Sequence, residues 1–107
     1  MDAQERREQM TVSLTPNQGT EVKLEMREGQ RVRFSWSTSG PPVNFDAHGE
    51  APGRPEVSYK KGAASGDEGE LVAAFDGIHG WFWRNRSGEP LTVTVTAEGD
   101  FALMKQM

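Results

Sequence analysis

The chain has 107 residues, with 16 Asp and Glu against 12 Lys and Arg, for a formal charge of −4. That length suits one domain with a modest core, and the acidic balance lacks the basic footprint that nucleic-acid binding requires. The absence of cysteine excludes disulfide frameworks, thiolate metal sites and cysteine nucleophiles. No apolar run approaches the ~18 residues of a membrane span.

Residues 1–9 form a polar leader; Asp2 to Gln9 carry no apolar stripe to bury. The leader is expected outside the fold, as a frayed terminus or as a juxtamembrane spacer after a membrane anchor, and residues 10–107 are expected to form the domain. Met10, Val12 and Leu14 alternate with polar residues until Pro16, which predicts a first strand. Val22, Leu24 and Met26 mark a second, and Val32, Phe34 and Trp36 a third. Their period of two is that of strands with one wet and one dry face. The short turn at Gly29-Gln30 predicts that the second and third strands pair as a hairpin.

After Gly40-Pro41-Pro42, a fourth strand is predicted over 43–49, with Val43, Phe45 and Ala47 on one face and Asn44, Asp46 and His48 on the other. A loop rich in Gly and Pro follows, then a short fifth strand at Val57 and Tyr59. Residues 62–69 are small and polar and read as a mobile loop. Leu71, Ala73 and Phe75 open a sixth strand that stops at Asp76-Gly77. The aromatic run over 80–84 is a seventh. Leu91 to Thr96 form the clearest strand, and Glu98-Gly99-Asp100 is expected to turn into a last strand from Phe101 to Met104. Eight or nine strands at this spacing predict an all-β antiparallel sandwich of jelly-roll type. Its expected dry face holds Val22, Leu24, Val32, Phe34, Leu71, Phe75, Val93 and Val95.

Two resemblances accompany this reading. Residues 69–81, with Phe75-Asp76-Gly77 and Trp81, together with Leu91 to Val95, resemble the C-terminal half of a GOLD (Golgi dynamics) domain. Arg33-Phe34-Ser35-Trp36 and Val43-Asn44-Phe45-Asp46 resemble its earlier strand pair. The chain departs from that family at Gly77, where Asn is usual, and at Leu71, where Tyr is frequent. The resemblance implies a GOLD-like β-sandwich that binds partners without an active site. Val43 to Gly49, Ser58 to Gly62, and His79 to Arg86 together resemble the soluble domain of the bacterial transmembrane anchor protein family. This implies an N-terminal membrane helix in the full-length protein and an extracytoplasmic, periplasmic location, and it favours the spacer reading of residues 1–9.

Trp81 and Trp83 share one strand face, with Tyr59, Arg84 and Arg86 expected near them. They form either the floor of the core or an aromatic platform for a sugar, peptide or lipid headgroup, with arginine gripping an acidic group. A split is also consistent, with Trp81 buried and Trp83 partly exposed near Arg84. His48 and His79 are the only histidines. Together with Asp46 they could supply imidazole and carboxylate ligands to Zn, Ni or Cu. The histidines are each followed by glycine, and their segments are expected to gather at one end of the sandwich as a functional rim. Catalysis lacks support. No Gly-x-Ser-x-Gly occurs, Ser58, Ser65 and Ser87 have no adjacent base, and Asp67, Glu68 and Glu70 read as solvating charges. The leading expectation is a non-enzymatic, membrane-tethered recognition domain without a required cofactor, binding a protein or envelope component. A periplasmic metal-binding accessory domain and a carbohydrate-binding module are the alternatives.

Overall fold

The computed structural model describes residues 5–107. In chain order the strands are β1 (Glu5–Leu14), β2 (Gly19–Met26), β3 (Arg31–Thr38), β4 (Val43–Glu50), β5 (Val57–Ala64), β6 (Gly66–Val72), β7 (Gly77–Asn85), β8 (Leu91–Asp100) and β9 (Leu103–Gln106). Every strand pairing is antiparallel. One sheet runs β1-β8-β3-β6, and the other runs β5-β4-β7-β2-β9. Consecutive strands cross repeatedly between the sheets, the jelly-roll way of burying two apolar faces against each other. β9 extends this arrangement by pairing beside β2.

Alternation decides which face each strand buries. In β8, Leu91, Val93, Val95 and Ala97 are buried, while the threonines between them are half-buried on the outer face. Trp36, Trp81 and Trp83 fill the middle of the core. Trp81 and Trp83 stack 6.2 Å apart, and Trp36 meets Trp83 edge-on at 5.7 Å. Their three indole N–H groups find no hydrogen-bond acceptor among the described residues. An unpaired buried donor costs about 1–3 kcal/mol, so these side chains are held by shape and apolar burial. Of the eight dry-face residues expected from the alternation, seven are buried and Phe34 is partly buried against Trp81.

The structure corrects the reading of the sequence at four places. Glu5 to Gln9 belong to the fold, because β1 pairs with β8 from Glu5–Asp100 to Leu14–Leu91. Backbone pairing needs no apolar stripe, so the polar pattern concealed it; residues 1–4 of the leader lie outside the described residues. β2 and β3 do not form a hairpin. Their turn is closed by the Gln30 N–H on the Arg27 carbonyl, with Gly29 at φ 86°, but it delivers the strands to opposite sheets. Residues 62–69 are not a loop, since they form the end of β5 and the start of β6, around Ser65, and β6 stops at Val72, so that Ala73 and Phe75 of the expected sixth strand lie in the connection to β7. Their small side chains fit close neighbours: a Cβ on Gly66 would lie 2.9 Å from the Trp36 carbonyl oxygen. Finally, β8 continues through Gly99 to Asp100, and the last strand starts at Leu103.

Candidate functional site

The aromatic run is core. Trp81 and Trp83 have no exposed surface and face Ala47 and Phe45 across the β4–β7 ladder. An indole platform is therefore unavailable, and Trp83 is as buried as Trp81. Arg84 lies on the other face of β7, where its guanidinium donates to the Asn17 carbonyl at 2.8 Å and sits 5.4 Å from the Phe82 ring centre. Arg86 is exposed beyond the end of β7. Neither arginine joins the tryptophans in a site.

His48 and His79 are neighbours in the β4–β7 ladder, but they occupy opposite faces. The register pairs His48 with Gly80 and Gly49 with His79, so the glycine after each histidine stands opposite the other histidine. Adjacent ladder positions point to opposite sides of a sheet, which rules out one ion held by both rings. His79 points inward. A Cβ on Gly49 would lie 2.2 Å from His79 Nδ1, so the ring lies over that glycine. The Tyr59 hydroxyl donates to His79 Nδ1 at 2.9 Å and accepts the Ala74 N–H at 3.0 Å. His79 Nε2–H donates to the Phe75 carbonyl at 2.9 Å. Both ring nitrogens are thus engaged in a neutral imidazole. Burial holds its pKa below the ordinary 6.5; the Phe75 hydrogen bond opposes this, while neighbouring Lys23 and His48 push the same way as burial. Tyr59 and His79 serve as internal struts between β5, β7 and the segment after β6.

His48 points to the outer face of the five-stranded sheet, yet it is only 3% exposed. Gly80 carries no side chain between His48 on β4 and Lys23 on β2, and both register with it. Through that gap Lys23 Nζ reaches His48 Nε2 at 2.7 Å and Glu50 Oε2 at 3.2 Å. The Lys23 side chain has 0% exposure, whereas Glu50 keeps 41%. Glu56 Oε2 and Glu21 Oε2 lie 2.9 and 3.4 Å from the same Nε2. His48 Nδ1–H donates to the Asp46 carbonyl at 3.1 Å. The Asp46 carboxylate instead accepts from the Ser58 hydroxyl at 2.9 Å, and so stands aside from the cluster. Sequence alternation places Lys23 on a wet face and gives no sign that it is buried. Only the register, which sets Gly80 between Lys23 and His48, accounts for it.

A second feature lies where the sandwich opens. β5 and β6 each end their own sheet, and between them runs a groove of about 230 Å³. Phe34, Ala47, Tyr59 and Leu71 line its apolar part, and Lys60, Asp67, Glu68 and Glu70 its charged margin. Lys60 bridges to Asp67 across it at 3.1 Å, and Glu70 pairs with Arg31 at 2.9 Å. Glu68 is exposed.

No protein-family model matches this chain, and no curated protein matches it. Among solved structures it is similar to the Yersinia pseudotuberculosis-derived mitogen, with a TM-score of 0.64 and 10% identity, over 86% of this chain and 84% of that one. It is also similar to a de novo designed double-stranded β-helix, with a TM-score of 0.52 and 19% identity, over 84% of this chain and 97% of that one. At such identities the likeness bears on architecture alone: the chain is an antiparallel jelly-roll β-sandwich.

Proposed function

We propose that this domain is a non-enzymatic recognition module, tethered outside the bacterial cytoplasmic membrane, that takes an extended segment of a protein partner at the β5–β6 opening. The observation that carries this reading is the pair of sheet-end strands with an apolar-floored groove between them. A sheet edge offers backbone donors and acceptors to an incoming strand. Side-chain pockets beside that edge then supply selectivity. The acidic margin at Glu68 favours a segment with a basic residue next to the apolar one that enters the groove. The tether and the extracytoplasmic location rest on the resemblance to the transmembrane anchor protein family. A carbohydrate module is disfavoured because its aromatic platform would have to be Trp81 and Trp83, which are core.

The test places a photo-crosslinking amino acid at Glu68 in the full-length protein in its native cells, with Thr11 on β1 as the comparison position. A discrete protein adduct from position 68, absent from position 11, is the expected result. No adduct at 68, or equal adducts at both, removes the groove from the account.

A further inference from the structure

We propose that the cluster on the outer face of the five-stranded sheet is a site for a divalent transition metal of the zinc class, with His48 Nε2, Glu21 and Glu50 as ligands and Glu56 as the fourth. The ligand atoms of Glu21, His48 and Glu50 all lie within 4.8 Å of one another. Glu56 Oε2 approaches the same imidazole nitrogen at 2.9 Å. One imidazole with carboxylate oxygens in tetrahedral array suits zinc, at about 2.0–2.2 Å per bond.

Two features point to a cation beyond the presence of acids. The first is the orientation of His48. Its Nδ1–H is committed to the Asp46 carbonyl, which fixes the tautomer and turns the Nε2 lone pair into the carboxylates. Metal-ligating histidines are held in this way. The second is a hydrogen-bond count that does not close. Nε2 carries either one lone pair or one hydrogen. With the lone pair it accepts from Lys23, and the Glu56 and Glu21 oxygens then face another acceptor. With a hydrogen it donates to Glu56, and the Lys23 ammonium at 2.7 Å then faces another donor. A cation bound to Nε2 and to the carboxylate oxygens satisfies all of them. The Lys23 ammonium then gives up Nε2 and keeps Glu50, so that Lys23 is the resident counter-ion of the metal-free protein and a competitor for the metal.

The test is calorimetric titration of tag-free, chelator-treated protein with zinc, with near-ultraviolet circular dichroism of the tryptophan core reporting that each variant is folded. The expected result is saturable uptake of one zinc ion per chain, lost in His48→Gln. Glu21→Gln should weaken it at least about tenfold, while Lys23→Met should tighten it about tenfold by removing the competing charge. Asp46→Asn should leave it unchanged. Glu21 is partly exposed, so its variant decides the matter should His48→Gln fail to fold. Absence of saturable uptake by the unaltered protein, or uptake that survives in a folded His48→Gln, overturns the site. Equal losses in Asp46→Asn and Glu21→Gln overturn this ligand set, and unchanged or weaker affinity in Lys23→Met overturns the role of the ammonium.

Discussion

Lys23 Nζ lies 2.7 Å from His48 Nε2 across the backbone of Gly80. The ammonium is buried, while its carboxylate partner Glu50 remains in contact with water. That asymmetry sets how the pair responds to mutation. Lys23→Met removes the buried charge, leaves Glu50 solvated and deprives His48 Nε2 of its donor, so stability should fall by only about 1 kcal/mol. Glu50→Gln leaves the buried ammonium short of its counter-charge, which should cost up to about 3 kcal/mol. Urea unfolding of the two variants checks the order; a larger loss in Lys23→Met would contradict it.

Gly49 and Gly80 should resist substitution for reasons specific to each. A Cβ at Gly80 would sit 2.1 Å from the Val22 carbonyl oxygen, and one at Gly49 would sit 2.2 Å from His79 Nδ1. Overpacking of this kind costs about 1–3 kcal/mol or more, so either alanine variant should lower the melting temperature. Gly40 and Gly88 have open space around them and no positive φ. Their alanine variants should stay within about 0.5 kcal/mol, which thermal melts of all four resolve.

The hidden His79 gives stability a pH dependence of known sign. Its pKa in the fold lies below the ordinary 6.5, so the unfolded chain takes up a proton that the folded chain refuses. The His79 contribution is therefore intact above 6.5. It declines as pH falls through 6.5 and levels off once pH passes below the lowered folded value. Unfolding free energies measured across this window should fall on acidification. His79→Gln should flatten the part of the slope that His79 causes, and an unchanged slope would assign it to other groups.

Most of the fold was legible because alternation survives wherever one face is wet. Leu91 to Val95 and Val22 to Met26 bury the apolar residues that their pattern marks, and Val32 to Trp36 does so except at Phe34, which is partly buried. β5, β6 and the start of β1 were not legible in full. Their residues are small or polar, and their ladders are held by backbone groups that carry no sequence signature. The histidines show the same limit. The sequence reveals that a glycine follows each, but only the register shows that each glycine stands opposite the other histidine. The burial of Lys23 is a consequence of that register and has no local pattern.

The polar start of β1 should matter to stability. Deleting residues 1–9 removes the pairing of Glu5 to Gln9 with the end of β8, and the contact of Arg6 with the Phe101 ring at 5.5 Å. Each kcal/mol lost moves the melting temperature of a domain this size by about 4–8 °C. The deletion should lower it by more than about 5 °C in differential scanning calorimetry. A change within a degree or two would mean that these pairs contribute nothing.

The most direct measurement for the account as a whole is long-range nitrogen–proton NMR of the two imidazoles in the metal-free protein at mildly alkaline pH. The pairing of β4 with β7 sends the histidines to opposite faces and gives them different jobs, which requires different tautomers. His79 should carry its hydrogen on Nε2, bonded to the Phe75 carbonyl, with Nδ1 accepting from Tyr59. His48 should carry its hydrogen on Nδ1, bonded to the Asp46 carbonyl, with Nε2 facing Lys23. Opposite tautomers are the predicted result. The same tautomer in both rings would contradict the placement of the two histidines and the cluster built on it.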